Sequence, residues 1–127
     1  MGGFVGGGII REKKASKLSD SELEKRAKSA PHKAGERDVV TRQFERSPYV
    51  VQHAKRRAKG ICELCKAPAP FINAKGEPYL ETHHIIWLAS GGDDTIANTV
   101  ALCPNCHRRM HALNSPDDRK KLNDVIK

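Results

Sequence analysis

No apolar run in this sequence approaches the roughly 20 residues that a membrane-spanning helix needs, so a soluble chain is expected. Nothing at its start reads as a secretory leader either. The glycine-broken stretch Met1 to Ile10 precedes its positive charges, whereas a leader puts charge first and a small-residue cleavage site after. Gly2 does not complete a myristoylation signal, because Gly6 stands where serine or threonine is required. A reducing, cytoplasmic compartment is therefore expected, where cysteines serve as thiolates on a metal rather than as disulfides. No internal repeat is present. Acidic residues are in short supply, 15 against 23 lysines and arginines, which leaves a net charge of +8. Such an excess suits a polyanionic partner, nucleic acid first and an acidic membrane surface second, and equally suits a protein that merely needs to stay soluble.

At 127 residues the chain is one domain's worth, and both ends are too polar to join a core. Residues 1–15, rich in glycine and then in charge, are expected to be flexible. Residues 16–46 should hold a helix and a linker. Ser19 caps that helix, Glu22 closes a capping box, Leu18 staples against Leu23, and Pro31 lies beyond its end. The compact part is expected over residues 47–127. It opens with a helix marked by Ser47 at the cap, Pro48 in the first turn, and Val50, Val51, Ala54 and Ala58 at helical spacing, with Gly60 as the stop. Its other face carries Lys55, Arg56, Arg57 and Lys59, either a solvated surface or a contact for phosphate. A hairpin is expected across Phe71-Ile72 and Tyr79-Leu80, turning at Gly76. "LETHHIIWL", residues 80–88, has strand composition, and "SGGDD" breaks it. Val100 to Leu102 supplies a second strand, Pro104 opens a helix that runs to Leu113, and Ser115-Pro116 opens the last helix, to about Val125.

Cys62-x-x-Cys65 and Cys103-x-x-Cys106 are two halves of one tetrahedral zinc site, since each pair can bite a single metal from a tight turn. The 37 residues between them are more than a compact ribbon uses. A structural zinc would also help a core this small, its binding energy being folding energy. The histidines are then left for other work. His107 and His111, four apart, share one helix face as two ligands of one ion must. His83 and His84 sit in the strand inside the gap. His32 and His53 have no partner in sequence and read as surface residues.

"ETHHII", Asn98 and "LCPNCHRRMH", taken in order, closely resemble the HNH endonucleases, over residues 61–113. The likeness is greatest to the zinc-containing HNH domains of bacterial restriction enzymes, including modified-cytosine-dependent ones. It implies an α+β fold: a small ββα-metal (HNH, or His-Me finger) core with flanking helices and a structural zinc site. It implies His84 as general base, His83, His107 and His111 as ligands of one catalytic ion, and Asn98 as a residue that holds loop and base by hydrogen bonds. One departure is Trp87, where relatives often carry proline; it bears on how the strand exits into its loop.

A neutral imidazole can take a proton from water near pH 7, and an ion on the far side can stabilise charge on the phosphate and the departing oxygen. Three nitrogen donors suit nickel, cobalt, manganese or zinc better than calcium, and magnesium can complete its shell with substrate oxygens and water. Glu81, two residues before His83 on the same strand face, is either a partner to an imidazole or an exposed carboxylate. Arg108 and Arg109, on the ligand-bearing helix, are placed to meet backbone phosphate, as are Arg56 and Arg57. The expected function is metal-dependent hydrolysis of DNA, with a homodimer or successive nicks where both strands are cut. The rival is a zinc-stabilised DNA-binding module without activity, which would need the cysteines and the basic surface but not the four histidines.

Overall fold

The computed structural model describes residues 7–127, with side chains from Glu12 onward; the expectation of flexibility for residues 1–6 lies outside the described residues. The chain divides between Arg42 and Gln43 into two compact units. The first contains α1 (Gly7–Ser16) and α2 (Asp20–Ser29). Helix α1 thus occupies most of the stretch whose composition suggested a flexible segment, because after the glycines the residues Glu12 to Ala15 are good helix formers. In α2 the hydroxyl of Ser19 accepts from the Glu22 N–H at 3.3 Å, and Arg26 pairs with Glu22 one turn on. Helix α2 has no buried residue, since its apolar stripe amounts to little beyond Leu23 and Ala27.

The second unit begins at α3 (Pro48–Ala58), capped by Ser47, whose side chain accepts from Val50 N–H. It ends where Lys59 takes a left-handed conformation, followed by Gly60, also with positive φ. A knuckle over residues 61–68 is closed by the Lys66 N–H on the Cys62 carbonyl and the Cys62 N–H on the Ala67 carbonyl. The expected hairpin is present in reduced form: one bridge joins Ile72 to Pro78, and the Asn73 side chain accepts from the N–H groups of Lys75 and Glu77.

Strands β1 (Glu81–His84) and β2 (Thr99–Leu102) pair antiparallel, Glu81 opposite Leu102 and His84 opposite Thr99. β2 is buried along its whole length, so its four residues, Thr-Val-Ala-Leu, need apolar or internally bonded side chains on both faces. Helix α4 (Pro104–Leu113) follows at once, and α5 (Pro116–Val125) closes the chain, capped by Ser115. The core gathers Ala58 of α3, Leu80 and Ile85 around β1, Val100 to Leu102 of β2, Met110 of α4 and Leu122 of α5, together with Cys62 and Cys106. Among the described residues no helix is long and apolar enough to cross a membrane.

β1 is shorter than the expected 80–88, and the reason is local. From Ile85 the chain pairs no longer with a strand but with one residue: Asn98 offers its carbonyl to Ile85 N–H, its Oδ1 to Ile86 N–H, and its Nδ2 to the Ile86 carbonyl. A side chain has replaced the sheet partner. Trp87 then turns the chain, its carbonyl accepting from the N–H of both Ser90 and Gly92.

Candidate metal centre and active site

β1, β2 and α4 carry the site. The start of α4 is fixed by Cys103, whose Sγ caps the helix by accepting from Cys106 N–H at 3.5 Å. The Sγ atoms of Cys62, Cys65, Cys103 and Cys106 all lie within 4.8 Å of one another. The Cys65 and Cys103 sulfurs are 4.0 Å apart. Four thiolates at the usual Zn–S length would be separated by roughly 3.8 Å, whereas a disulfide would bring a pair to about 2 Å. The donor set therefore fits tetrahedral zinc and does not fit disulfides. Burial acts to raise the Cys62 thiol, and N–H groups of Cys103, Cys65 and Leu64 outweigh it, bringing it down to about 7. Burial pushes Cys103 and Cys106 up, as expected where thiols crowd together without a cation.

A second cluster lies between β1 and α4. One ring nitrogen each from His83, His107 and His111 fall within 4.8 Å of one another. The Nε2 atoms of His107 and His111 are 3.2 Å apart, as their four-residue spacing on α4 allows. Nitrogens on one ion would be roughly 3.0 to 3.4 Å apart at ordinary metal–nitrogen lengths. The third ring, His83, is 2 % exposed, and its Nε2 is buried with no hydrogen-bond partner. Burial, then the charges His107 and His111 would carry, hold the His83 imidazole down to about 3. His111 is lowered by burial first and by His107 next. A buried imidazole kept neutral with an unshared lone pair is the form a metal requires, so these residues fit a divalent ion.

The support around this cluster is equally specific. His107 Nδ1 meets Glu81 Oε1 at 2.8 Å, and the Tyr79 hydroxyl donates to the other oxygen at 2.7 Å. Glu81 thus fixes the His107 ring and turns its Nε2 toward His111, the partner role weighed above for this strand residue. Its carboxyl is held below the ordinary value by the Tyr79 hydrogen bond first and by His107 next. Trp87 lies against His111, the two rings 5.1 Å apart and tilted by 31°.

His84, the last residue of β1, is 5 % exposed, and its Nε2 meets Asp94 Oδ1 at 2.8 Å. The other Asp94 oxygen accepts from Ser47 N–H at 2.6 Å. These two bonds, His84's first, hold the Asp94 carboxyl below its ordinary value. Asn98 Nδ2 also donates to the Asp93 carbonyl, so Asn98 ties β1's exit to the loop that carries Asp94. Asp94 carries no sequence signal beyond its position in the loop between the two strands.

Two of the four arginines expected to meet phosphate are engaged in ion pairs within the fold. Arg57 grips Glu63 through Nε and Nη2, at 2.9 and 2.8 Å, and donates to the Thr99 carbonyl. Arg109 holds Asp118 through Nε at 2.9 Å. Glu63 and Asp118 are both buried, and a buried carboxylate without a cation is far costlier than a phosphate contact forgone. Arg56 is exposed on α3, and Arg108 lies near enough to Glu81 and His111 for its charge to act on both. His32 and His53 are exposed, and neither is a member of the cysteine or the histidine cluster.

Residues 62–113 match the family model of the HNH endonucleases. The chain is 47 % identical over 94 residues to the type IV methyl-directed restriction enzyme EcoKMcrA of Escherichia coli (strain K12), an alignment covering 72 % of this chain and 34 % of that enzyme. It thus spans about a third of that relative's length. A protein named anaredoxin, from Nostoc sp. (strain PCC 7120 / SAG 25.82 / UTEX 2576), is 30 % identical over 71 residues, 53 % of this chain and 83 % of that protein. Among solved structures, the type IV phosphorothioation-dependent restriction endonuclease ScoMcrA superposes with a TM-score of 0.55 at 29 % identity, over 64 % of this chain and 16 % of that one. The paired strands with their helix, the cysteine cluster and these likenesses agree, and residues 62–113 of this chain form a unit of the HNH endonuclease family.

Proposed function

We propose that this chain is a metal-dependent endonuclease that hydrolyses DNA phosphodiester bonds, with His84 as general base and His83, His107 and His111 as ligands of one divalent ion. The observation that carries this reading is the gathering of His83, His107 and His111, with one ring nitrogen of each within 4.8 Å of the others and the His83 Nε2 buried without a hydrogen-bond partner. A DNA-binding module stabilised by zinc alone has no use for such a cluster, whose burial costs stability unless something binds there.

When bound, magnesium, manganese, nickel, cobalt or zinc would supply Lewis-acid stabilisation of charge on the phosphate and the departing 3′ oxygen. The chain's own residues do the rest. His84 removes a proton from the attacking water, Glu81 orients His107, and Asn98 holds the loop against the strand. Cys62, Cys65, Cys103 and Cys106 would hold zinc, which would fasten the knuckle to the start of α4. Arg56 and Arg108 meet backbone phosphate, a contact that positions the duplex without reading its sequence.

We extend the reading to restriction, because the restriction enzymes EcoKMcrA and ScoMcrA share this unit. Sequence preference is expected to be weak. One site cuts one strand per visit, so nicks come first, and linear product follows from successive nicks or from two chains acting as a homodimer. Plasmid cleavage by zinc-loaded protein, stripped of other metals and given each candidate ion in turn, tests the reading on unmodified, methylated and phosphorothioated DNA. Metal-dependent nicking at many positions is expected. DNA binding without cleavage under every ion would restore the binding-module reading, and cutting at one sharply defined sequence would refute weak preference.

A further inference from the structure

Asp94 is held from three directions. The backbone before it is fixed by the bond from Asn98 Nδ2 to the Asp93 carbonyl, at 2.8 Å. The loop is pressed onto the end of β1 at Gly92, where a Cβ would fall 1.9 Å from the Ile86 carbonyl oxygen, so no other residue fits without moving the backbone. One carboxylate oxygen is then taken by Ser47 N–H at the start of α3. The remaining oxygen points at His84 Nε2, 2.8 Å away. Three elements thus converge to set one acceptor beside one imidazole, more constraint than a surface ion pair needs.

An ionised carboxylate can only accept, so the proton between the pair lies on Nε2, and the lone pair of the neutral ring lies on Nδ1. We propose that Asp94 is a positioning residue for His84: it fixes the Nε2–H tautomer and leaves Nδ1 as the nitrogen that takes the proton of the attacking water. This rests on the reading of His84 as the base. As the water O–H bond breaks, an N–H bond forms at Nδ1, and the imidazolium produced is balanced by the Asp94 charge already in place. The hydroxide oxygen bonds to phosphorus, the bond from phosphorus to the 3′ oxygen breaks, and the departing oxygen takes a proton from solvent.

Steady-state cleavage of a labelled duplex by Asp94→Ala, Asp94→Asn and His84→Ala, alongside ¹⁵N NMR of histidine-labelled protein, tests this. Asp94→Ala is expected to lower kcat roughly 10- to 1000-fold with KM within about twofold of the parent. Asp94→Asn should fall between, because its amide oxygen still accepts from Nε2–H but carries no charge; being near-isosteric, it bears the test if the alanine variant does not fold. The parent's His84 should give the Nε2–H signature, and Asp94→Ala should lose it. Parental kcat in both Asp94 variants beside an inactive His84→Ala would overturn the positioning role and leave the base standing, as would an Nδ1–H tautomer in the parent. Parental cleavage by His84→Ala would remove the base, and this proposal with it.

Discussion

Glu81 gives His107 one fixed orientation, and Tyr79 gives Glu81 one in turn, so the geometry of the histidine cluster depends on residues outside it. Removing such a partner typically weakens metal binding about 10- to 100-fold. Glu81→Ala should do so here. The chain has a single tryptophan, and its ring lies 5.1 Å from that of His111, so quenching of Trp87 fluorescence by cobalt reports binding at this cluster. An unchanged cobalt affinity in Glu81→Ala would contradict the orienting role. Protons make a second test. The folded His83 is held down to about 3 from an ordinary 6.5, so between these values the unfolded chain binds a proton that the folded chain does not. The stability contribution of His83 is therefore constant above about pH 6.5 and falls as pH drops toward 3. Urea titrations without ion at the histidine cluster should show this loss, and His83→Gln should show less of it; parallel pH profiles would contradict the assignment.

Between elements, the joints are made by buried carboxylates whose partners belong to other elements. Glu63 joins the knuckle to α3 through Arg57 and to β2 through Ala101 N–H. Breaking a buried pair from one side leaves the other charge stranded, at a cost of about 3 kcal/mol. Arg57→Ala should thus lower the thermal midpoint by roughly 10 degrees or more, while Arg56→Ala leaves it within about a degree and weakens DNA binding instead. A stable Arg57→Ala with reduced DNA affinity would return Arg57 to the surface role its sequence suggested. Most elements were legible because their signals are local: Ser19, Ser47 and Ser115 each accept from an N–H three residues on, and Pro48, Pro104 and Pro116 each open a helix. The early end of β1 was not legible, since it depends on the Asn98 side chain 12 residues beyond Ile86. Nor was the commitment of Arg57 and Arg109. Four arginines read alike as charge in a sequence, and a buried carboxylate beside each of two of them, Glu63 and Asp118, engages those two within the fold.

The unit from Gln43 onward is held by a modest core of small and medium side chains, and the cysteine cluster joins its knuckle to α4. Zinc binding should therefore be folding energy for the whole domain. At pH 7 the metal-free fold keeps Cys103 and Cys106 as thiols, so zinc uptake should expel at least those two protons, measurable as a buffer-dependent heat in calorimetry. Uptake with no proton release would argue against a four-thiolate site. The site as a whole was legible to the extent that its residue types fix its chemistry: cysteines in two pairs and histidines in two pairs admit few arrangements. What holds those residues, above all Asp94 and Tyr79, was not, because any loop aspartate or strand tyrosine looks the same until the fold closes. The most direct test of the account is cleavage of supercoiled plasmid by the parent and His84→Ala at equal cobalt occupancy, matched by Trp87 fluorescence. The account predicts that His84→Ala binds cobalt and DNA as the parent does yet nicks at least about 100-fold more slowly; nicking at the parental rate would contradict it.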